Sequence, residues 1–273
     1  MRMGTVGEIA PEPLPTIPVG SSVRRAIALM AEAGQGGVVV AGDDGTPLGM
    51  VTETDVVRRV VAADRHPFAT TVENVMSAPV VTVDPSCPLD VAARLMADRG
   101  IRHLGVTRGD NPIEWVTAPA LVAAGGVAPV RVRETMSRAL ATIHLRETAR
   151  EAAERMLEWS VGLLLVGGRR ARPRLGGWRG AGQDDLAGLL TETDLVDRVM
   201  ALDRYPYVAE AGEVMASQFI TVDVEEELPA AADQLTRHRV RHLVVTAGQE
   251  VVGVLSIRDL LGGVFAPEPS SHG

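Results

Sequence analysis

Four segments combine a hydroxyl residue and a carboxylate at a spacing that suits a phosphorylated ligand. Residues 49–55, Gly-Met-Val-Thr-Glu-Thr-Asp, return almost unchanged at 188–194 and in looser form at 253–259. The copy at 114–120 lacks both the glycine and the aspartate. The pattern is typical of a strand that runs into a helix, with the hydroxyl near free backbone N–H groups and the carboxylate about one turn further on. Such a corner can hold a phosphate at one end and a ribose diol at the other.

The candidate binding residues are the glycine, hydroxyl and aspartate of the three intact copies. They are Gly49, Thr52, Asp55, Gly188, Thr191, Asp194, Gly253, Ser256 and Asp259. The alternative is that each aspartate only caps its helix, which is worth about 1 kcal/mol. We expect the motif glycine to let a ligand approach the backbone. In the damaged copy Glu114 replaces this glycine, and Ala120 replaces the aspartate. We therefore expect that corner to be empty and at most three sites to work.

The motif belongs to a larger repeat that occurs four times. Its reference positions are Thr16, Thr82, Thr142 and Thr221. Each threonine is followed ten residues later by an alanine and fourteen residues later by methionine or leucine. Six residues before three of the four threonines stands a methionine. A register kept over more than twenty residues predicts four homologous structural units.

The four repeats form a duplicated pair with one insertion. Thr82 and Thr221 are 139 residues apart, whereas Thr16 and Thr142 are only 126 apart, so the third repeat holds 13 additional residues. The stretch 167–182 is rich in glycine and arginine and has no apolar periodicity, which favours a mobile loop. Its five arginines leave two interpretations: a solvated loop, or a loop that folds over ligand phosphates.

Each repeat predicts a strand, a helix, two further strands and a second helix. Apolar spacing marks the first helix, and short apolar runs mark the strands. A unit of about sixty residues is small for a core of its own, so we expect the units to pair through their sheets.

The order β-α-β-β-α and the ending Gly-x-x-Thr/Ser-x-x-Asp resemble cystathionine-β-synthase (CBS) domains. The phrases Ile101-Arg102-His103-Leu104 and Val240-Arg241-His242-Leu243 add to the resemblance, which covers about residues 6–265. It implies an α+β fold of four tandem units arranged as two pseudo-twofold pairs in a flat disc. The expected boundaries are a first pair at 5–125 (units 6–66 and 72–124), a second pair at 130–266 (units 130–206 and 211–265) and a flexible tail at 267–273.

The resemblance also implies a ligand. Family members bind AMP, ADP or ATP in clefts between paired units, which predicts a regulatory adenosine nucleotide, with or without Mg²⁺, and no covalent cofactor. The aspartates would accept both ribose hydroxyls, while Thr52, Thr191 and Ser256 would contact phosphate. Arg102 and Arg241 would face the phosphates, unless they pair with surface carboxylates. The alternatives are S-adenosylmethionine, an NAD-type cofactor, cyclic di-AMP, or a structural oligomer with vestigial sites.

Catalysis is not expected, because the sequence shows neither a Gly-x-x-x-x-Gly-Lys-Ser/Thr loop, nor a Gly-x-Ser-x-Gly elbow, nor a His/Cys metal motif. The expected output is a change in assembly or in the binding of an unidentified partner protein, and we expect a homodimer. A net charge of −8 argues against nucleic acid as a partner. The single cysteine, Cys87, and the lack of an apolar run of about 18 residues predict a cytoplasmic protein without a membrane span. Pro11–Pro15 and 267–273 are expected to be loosely held.

Overall fold

Each of the four units folds around a small three-stranded sheet. The computed structural model describes residues 4–107, 114–167 and 186–263. In every sheet the middle strand in sequence is also the middle strand in space, parallel to the strand before it and antiparallel to the strand after it. This mixed pairing repeats in the third and fourth units. The predicted α+β fold is confirmed.

The first two units contain six strands and four helices. The first unit comprises β1 (Thr16–Pro18), α1 (Val23–Ala33), β2 (Gly37–Ala41), β3 (Pro47–Thr52) and α2 (Glu53–Val56). The second unit comprises β4 (Thr82–Val83), α3 (Leu89–Arg99), β5 (His103–Val106), β6 (Glu114–Thr117) and α4 (Ala118–Gly125). A wider helical turn, Val57–Val61, continues α2, and short 3₁₀ turns precede each unit at Val6–Glu8 and Val72–Asn74.

The third and fourth units repeat this order, each after a short entry helix. The third comprises α5 (Val132–Thr135), β7 (Thr142–His144), α6 (Ala149–Glu158), β8 (Leu163–Gly167), β9 (Leu186–Thr191) and α7 (Glu192–Leu195). The fourth comprises α8 (Ala211–Val214), β10 (Thr221–Asp223), α9 (Leu228–His238), β11 (His242–Ala247), β12 (Glu250–Ser256) and α10 (Ile257–Gly263). The insertion, 167–182, lies outside the described residues except for Gly167.

The positions that recur in the sequence form the core of each unit. The alanine ten residues after each reference threonine is fully buried, and the methionine or leucine four residues further on is at most 2% exposed. Both positions lie on the first helix of their unit, one turn apart on the face that covers the sheet. The small alanine lets the helix approach the strands, and the long side chain fills the remaining space.

The units associate in a closed cycle. The sheets of the first and second units share a cluster of Val39, Met50 and Trp115, and the sheets of the third and fourth units share a larger one that includes Leu165 and Val244. The helices of the first and third units share one core, as do the helices of the second and fourth. Pairing through the sheets is therefore confirmed, and helices join one pair to the other.

The glycine of each intact motif makes room for a methionine. A Cβ added at Gly253 would lie 2.5 Å from Met136 Sδ, and one at Gly49 would lie 2.8 Å from Met76 Sδ. Met215 Sδ stands against Gly188 in the same way, at 2.8 Å. These are the methionines six residues before the reference threonines, and each enters from the other unit of the pair. The space that a side chain would need at this position is filled by the partner unit, so the glycine is required for packing, and its role in ligand approach stays a prediction.

The same relation explains the damaged copy. The one motif position without glycine, Glu114, lies in the second unit, whose partner carries Ala10 in place of a methionine. Because no methionine of the first unit occupies this space, the motif strand of the second unit can carry the Glu114 side chain at the glycine position.

The segment Pro11–Pro15 is held in place, contrary to expectation. Glu12 N–H donates to Trp115 O at 2.9 Å, and Val39 N–H donates to Pro15 O at 2.9 Å. The segment thus bridges the sheets of the first and second units.

We predict that Gly253→Ala destabilises the protein by about 1–3 kcal/mol, because the new methyl group overlaps Met136. Adding Met136→Ala should recover part of the loss by removing the overlapping sulfur. Gly262→Ala is the matched control, since nothing lies within 4 Å of its Cβ position in the same unit. Urea unfolding of the three variants measures the effect. Equal stability of Gly253→Ala and the parent protein would contradict the packing role.

Candidate functional site

The predicted corner forms in all three intact copies. Thr52 N-caps α2, and its hydroxyl donates to Asp55 Oδ2 at 2.7 Å, while its backbone N–H donates to the same oxygen at 2.9 Å. The Asp55 N–H in turn donates to Thr52 Oγ1 at 3.4 Å. Equivalent hydroxyl–carboxylate bonds of 2.6 and 2.7 Å join Thr191 to Asp194 and Ser256 to Asp259. Each aspartate therefore caps its helix, as the alternative interpretation held.

The cap occupies only one oxygen of each carboxylate. Asp55 Oδ1 accepts a hydrogen bond from Ser77 Oγ at 2.9 Å, and Asp194 Oδ1 lies 3.3 Å from Arg198 Nε. Asp259 Oδ1 has no hydrogen-bond partner within the described part of the chain. Capping and ligand binding are thus compatible, because the second oxygen can accept hydroxyl groups from a ligand.

Burial leaves two of these carboxylates short of stabilising partners. It raises the pKa of Asp194 and of Asp259, and the hydrogen bonds from Thr191 and Ser256 offset the effect only in part. A buried anion with an unused acceptor is stabilised by any added hydrogen-bond donor. A vicinal diol provides two such donors.

Among the described residues, clefts between paired units are seen at the Asp55 and Asp259 corners, and we name each cleft after the unit that supplies its corner. The first-unit cleft, about 230 Å³, lies between Asp55 and the segment 99–103 of the second unit. The fourth-unit cleft, about 220 Å³, lies between Asp259 and the segment 160–163 of the third unit. Met50 and Val254, the residues after two motif glycines, line these clefts.

Arginines that the sequence did not single out line both clefts. Arg58 and Arg258 line the first-unit cleft, and each has a buried Nε atom without a hydrogen-bond partner in the described structure. Arg258 also lines the fourth-unit cleft, as does Arg102. Because an unpaired buried N–H costs about 1–3 kcal/mol, these guanidinium groups are available to an incoming anion. Their positions next to the motif could have identified them, since Arg58 follows Asp55 by three residues and Arg258 directly precedes Asp259.

Arg102 and Arg241 are already engaged with carboxylates at the place where the four units meet. Glu53 receives Arg241 Nη2 at 3.1 Å and Arg102 Nη2 at 3.4 Å. Arg102 Nη1 also lies 3.6 Å from Glu192. Thr54 Oγ1 donates to Glu192 at 2.8 Å. We call Glu53, Arg102, Glu192 and Arg241 the central charge cluster, to which each unit contributes one residue.

The two carboxylates of the central charge cluster are buried, and Glu53 is held in its ionised form. Glu53 and Glu192 are each 3% exposed. Burial opposes ionisation of Glu53, but the positive charges of Arg241 and Arg102 outweigh it and hold the pKa of Glu53 below its ordinary value. Burial and the same two arginines lower the pKa of His103 and His242 to about 3. Both imidazoles are therefore neutral at physiological pH, which agrees with a packing role.

The damaged corner in the second unit keeps its helix cap and gains a carboxylate from another part of the chain. Thr117 still caps its helix, accepting from Ala120 N–H at 3.4 Å. Its hydroxyl donates to Glu12 Oε1 at 2.9 Å. Sequence reasoning missed Glu12, because it lies 105 residues before Thr117 in the chain.

Two further observations concern only the described residues. They contain no group of three or more His, Cys, Asp or Glu side chains that could hold a metal ion. Within the same ranges, none of the helices has the length and apolar character needed to cross a membrane.

Comparison with known proteins identifies the first, second and fourth units as copies of one domain. A family model described as the CBS domain matches residues 6–62, 72–124 and 211–265, together more than half of the chain. Protein MK0525 of Methanopyrus kandleri is 36% identical over 109 residues, 39% of this chain and 54% of that protein. The chain spans smaller shares of the next two curated relatives. The CBS domain-containing protein YhcV of Bacillus subtilis is 28% identical over 129 residues, 47% of this chain and 81% of that protein.

A solved structure shows the same fold over almost the whole length. Protein MJ1225 of Methanocaldococcus jannaschii, described as a proposed archaeal homologue of γ-AMPK, superposes with a TM-score of 0.74. The superposition covers 93% of this chain and 97% of that one at 15% sequence identity. At this identity the match establishes the fold alone.

We predict that Asp259→Asn raises the melting temperature at pH 7. Since the folded-state pKa of Asp259 lies above that of the unfolded chain, the carboxyl favours folding when protonated and loses that contribution as the pH rises through the folded-state pKa. Asparagine keeps an acceptor for Ser256 without the buried charge.

The gain should shrink as the pH falls toward the ordinary aspartate pKa of about 3.9. Differential scanning calorimetry from about pH 4, near the ordinary aspartate pKa, to about pH 8 measures the gain in melting temperature. Asp233→Asn, an exposed position in the same unit, is the control and should change nothing. A lower melting temperature of Asp259→Asn at pH 7 would show that the charge is stabilising.

Proposed function

Because the chain belongs to the CBS-domain family, we propose that it is a regulatory protein that senses an adenosine nucleotide, AMP, ADP or ATP, in the clefts between its paired units. The observation that carries this proposal is that one cleft combines a capped carboxylate with two half-buried arginines whose Nε atoms have no hydrogen-bond partner among the described residues. Asp55 lies on one side of the first-unit cleft, and Arg58 and Arg258 also line it. A ribose diol and a phosphate are the groups that satisfy both.

The charge of the cleft favours a ligand with several phosphate charges. Its walls carry one carboxylate and five arginines, namely Arg58, Arg59, Arg99, Arg102 and Arg258. Guanidinium groups bind phosphate oxygens in bidentate geometry. The same charge disfavours S-adenosylmethionine, which carries a sulfonium cation. NAD-type cofactors and cyclic di-AMP share the phosphates and the ribose, so they serve as competitors in the binding experiment.

The proposed signal starts from arginines that the clefts share. Arg102 and Arg258 line both the first-unit and the fourth-unit cleft, and Arg102 also belongs to the central charge cluster. A phosphate that draws Arg102 toward a cleft competes with Glu53 and Glu192 for the guanidinium group. Binding in one pair would thereby change the contact between the pairs. The shift is limited to the difference in ligand affinity between the two arrangements.

The output would be a change in self-assembly or in the binding of a partner protein. We propose binding without turnover, so ATP incubated with the protein should remain ATP. Isothermal titration calorimetry of the full chain with AMP, ADP and ATP, with and without Mg²⁺, tests the proposal. Absence of binding by all three nucleotides would reject the proposal and leave an NAD-type cofactor, cyclic di-AMP or a structural oligomer with vestigial sites as the alternatives.

We predict that affinity increases from AMP to ADP to ATP and that Arg58→Met and Arg258→Met flatten this order. Each substitution removes a guanidinium group that lines the cleft and whose buried Nε has no hydrogen-bond partner in the ranges that the structure describes. Loss of one charge-assisted contact should weaken ATP binding about tenfold or more, while AMP binding should fall less.

Arg25→Met is the matched control, since Arg25 is exposed and its one ion pair, with Glu32 at 3.7 Å, lies on the same helix surface. Calorimetry gives the affinities, and melting temperatures confirm folding. Parallel loss of AMP and ATP affinity would place the arginines away from the terminal phosphates.

We predict that Glu53→Gln lowers stability but strengthens ATP binding. Removing the carboxylate leaves Arg102 and Arg241 without their main buried partner, which costs about 3–5 kcal/mol in comparable sites. The freed guanidinium groups are then open to phosphate. ATP should therefore raise the melting temperature of Glu53→Gln more than that of the parent protein. An equal or smaller ATP-induced rise would contradict competition between phosphate and Glu53.

A further inference from the structure

We infer that the second-unit cleft is a fourth nucleotide site, in which Glu12 takes the place of the missing motif aspartate. The inference rests on the proposed function, because it assigns the same ligand class, a ribose phosphate, to the corner that the sequence marks as defective. It reverses the expectation of at most three working sites.

The first observation is that the hydroxyl–carboxylate pair of the other corners is rebuilt from a different part of the chain. Thr117 Oγ1 donates to Glu12 Oε1 at 2.9 Å, where the intact corners have bonds of 2.6–2.7 Å between hydroxyl and aspartate. The Glu12 backbone is fixed by its N–H bond to Trp115 O. Glu12 Oε2 has no hydrogen-bond partner among the described residues. The second oxygen is thus free to accept a diol, as in Asp259.

The second observation is the size of the cavity. The second-unit cleft measures about 540 Å³, more than twice the first-unit cleft. It lies between Thr117, the segment 34–36 of the first unit and the segment 239–241 of the fourth unit. The volume is within the range of about 300–1,000 Å³ that small-molecule sites occupy. Leu235, Val240 and Ile257 give it an apolar wall for a base.

The third observation concerns the phosphate end. The helix start offers little to a phosphate: Pro119 has no N–H, Ala118 N–H donates to Arg102 O, and Ala120 N–H donates to Thr117. The phosphate must therefore be bound by cations. Arg239 lines the cleft, is exposed and forms no ion pair within the described ranges.

Arg239 also carries backbone strain at this place. Its φ of 52° lies in the left-handed region, where the equivalent residue of the second unit is Gly100. A non-glycine residue there costs about 1–2 kcal/mol. Arg239 is the C-cap of α9, and Ser160 holds the equivalent left-handed position in the third unit, so the conformation is a feature of the repeat that a glycine would adopt at lower cost.

The test uses the full chain and counts bound nucleotide. The triple variant Asp55→Asn, Asp194→Asn, Asp259→Asn removes the ribose carboxylates of the intact corners but keeps their caps. Native mass spectrometry with AMP should show one nucleotide bound per chain. Adding Glu12→Gln, which preserves an acceptor for Thr117, should remove that nucleotide. Glu8→Gln, an exposed acid in the same segment, is the control and should leave it bound.

The outcomes separate the two proposals. If the parent protein binds AMP but the triple variant binds none, the fourth site is rejected and the proposed function stands. If the parent protein binds no nucleotide, both fail. If Glu12→Gln lowers the melting temperature while the bound nucleotide stays, Glu12 is only a structural anchor and the inference is wrong.

A second variant tests the phosphate end. Arg239→Gly in the triple-variant background should relieve the left-handed strain and raise the melting temperature, while AMP affinity falls about tenfold. If Arg239→Gly raises the melting temperature but leaves AMP affinity unchanged, Arg239 does not bind the phosphate.

Discussion

The arrangement of the four units depends on the central charge cluster. Glu53 and Glu192 come from the first and third units, Arg102 and Arg241 from the second and fourth, and the two carboxylates are almost completely buried. Buried charges are tolerated only with partners in good geometry. Displacing one unit would leave charge unpaired, so the cluster restricts how the units can move, whereas the apolar contacts between sheets and helices supply most of the attraction.

The clefts border on the same arginines, which is the structural basis of the proposed link between ligand binding and the contact between pairs. Arg102 lines the first-unit, second-unit and fourth-unit clefts and also pairs with Glu53. In the proposed mechanism, an anion in any of these clefts would compete with Glu53 for Arg102. A sensor requires this property, since ligand occupancy must alter a contact outside the ligand site.

The sequence predicted what recurs and missed what crosses between units. The buried alanines and methionines recur at fixed spacing, and the Thr52–Asp55 corner is local, so both were predictable. Glu53 resembles an ordinary exposed acid in a first helical turn, and only the neighbouring units bury it. Glu12 and Thr117 meet across 105 residues. The motif glycine suggested ligand approach, yet its space belongs to a methionine of the partner unit.

The most direct test of the central claim is a crystal structure of the full chain with saturating ATP. We predict the ribose hydroxyls within hydrogen-bond distance of the Asp55 or Asp259 carboxylate, the phosphates against Arg58 or Arg258, and Arg102 displaced from Glu53. Nucleotide bound only outside the clefts, or phosphates in the first-unit or fourth-unit cleft with the central charge cluster unchanged, would contradict the account.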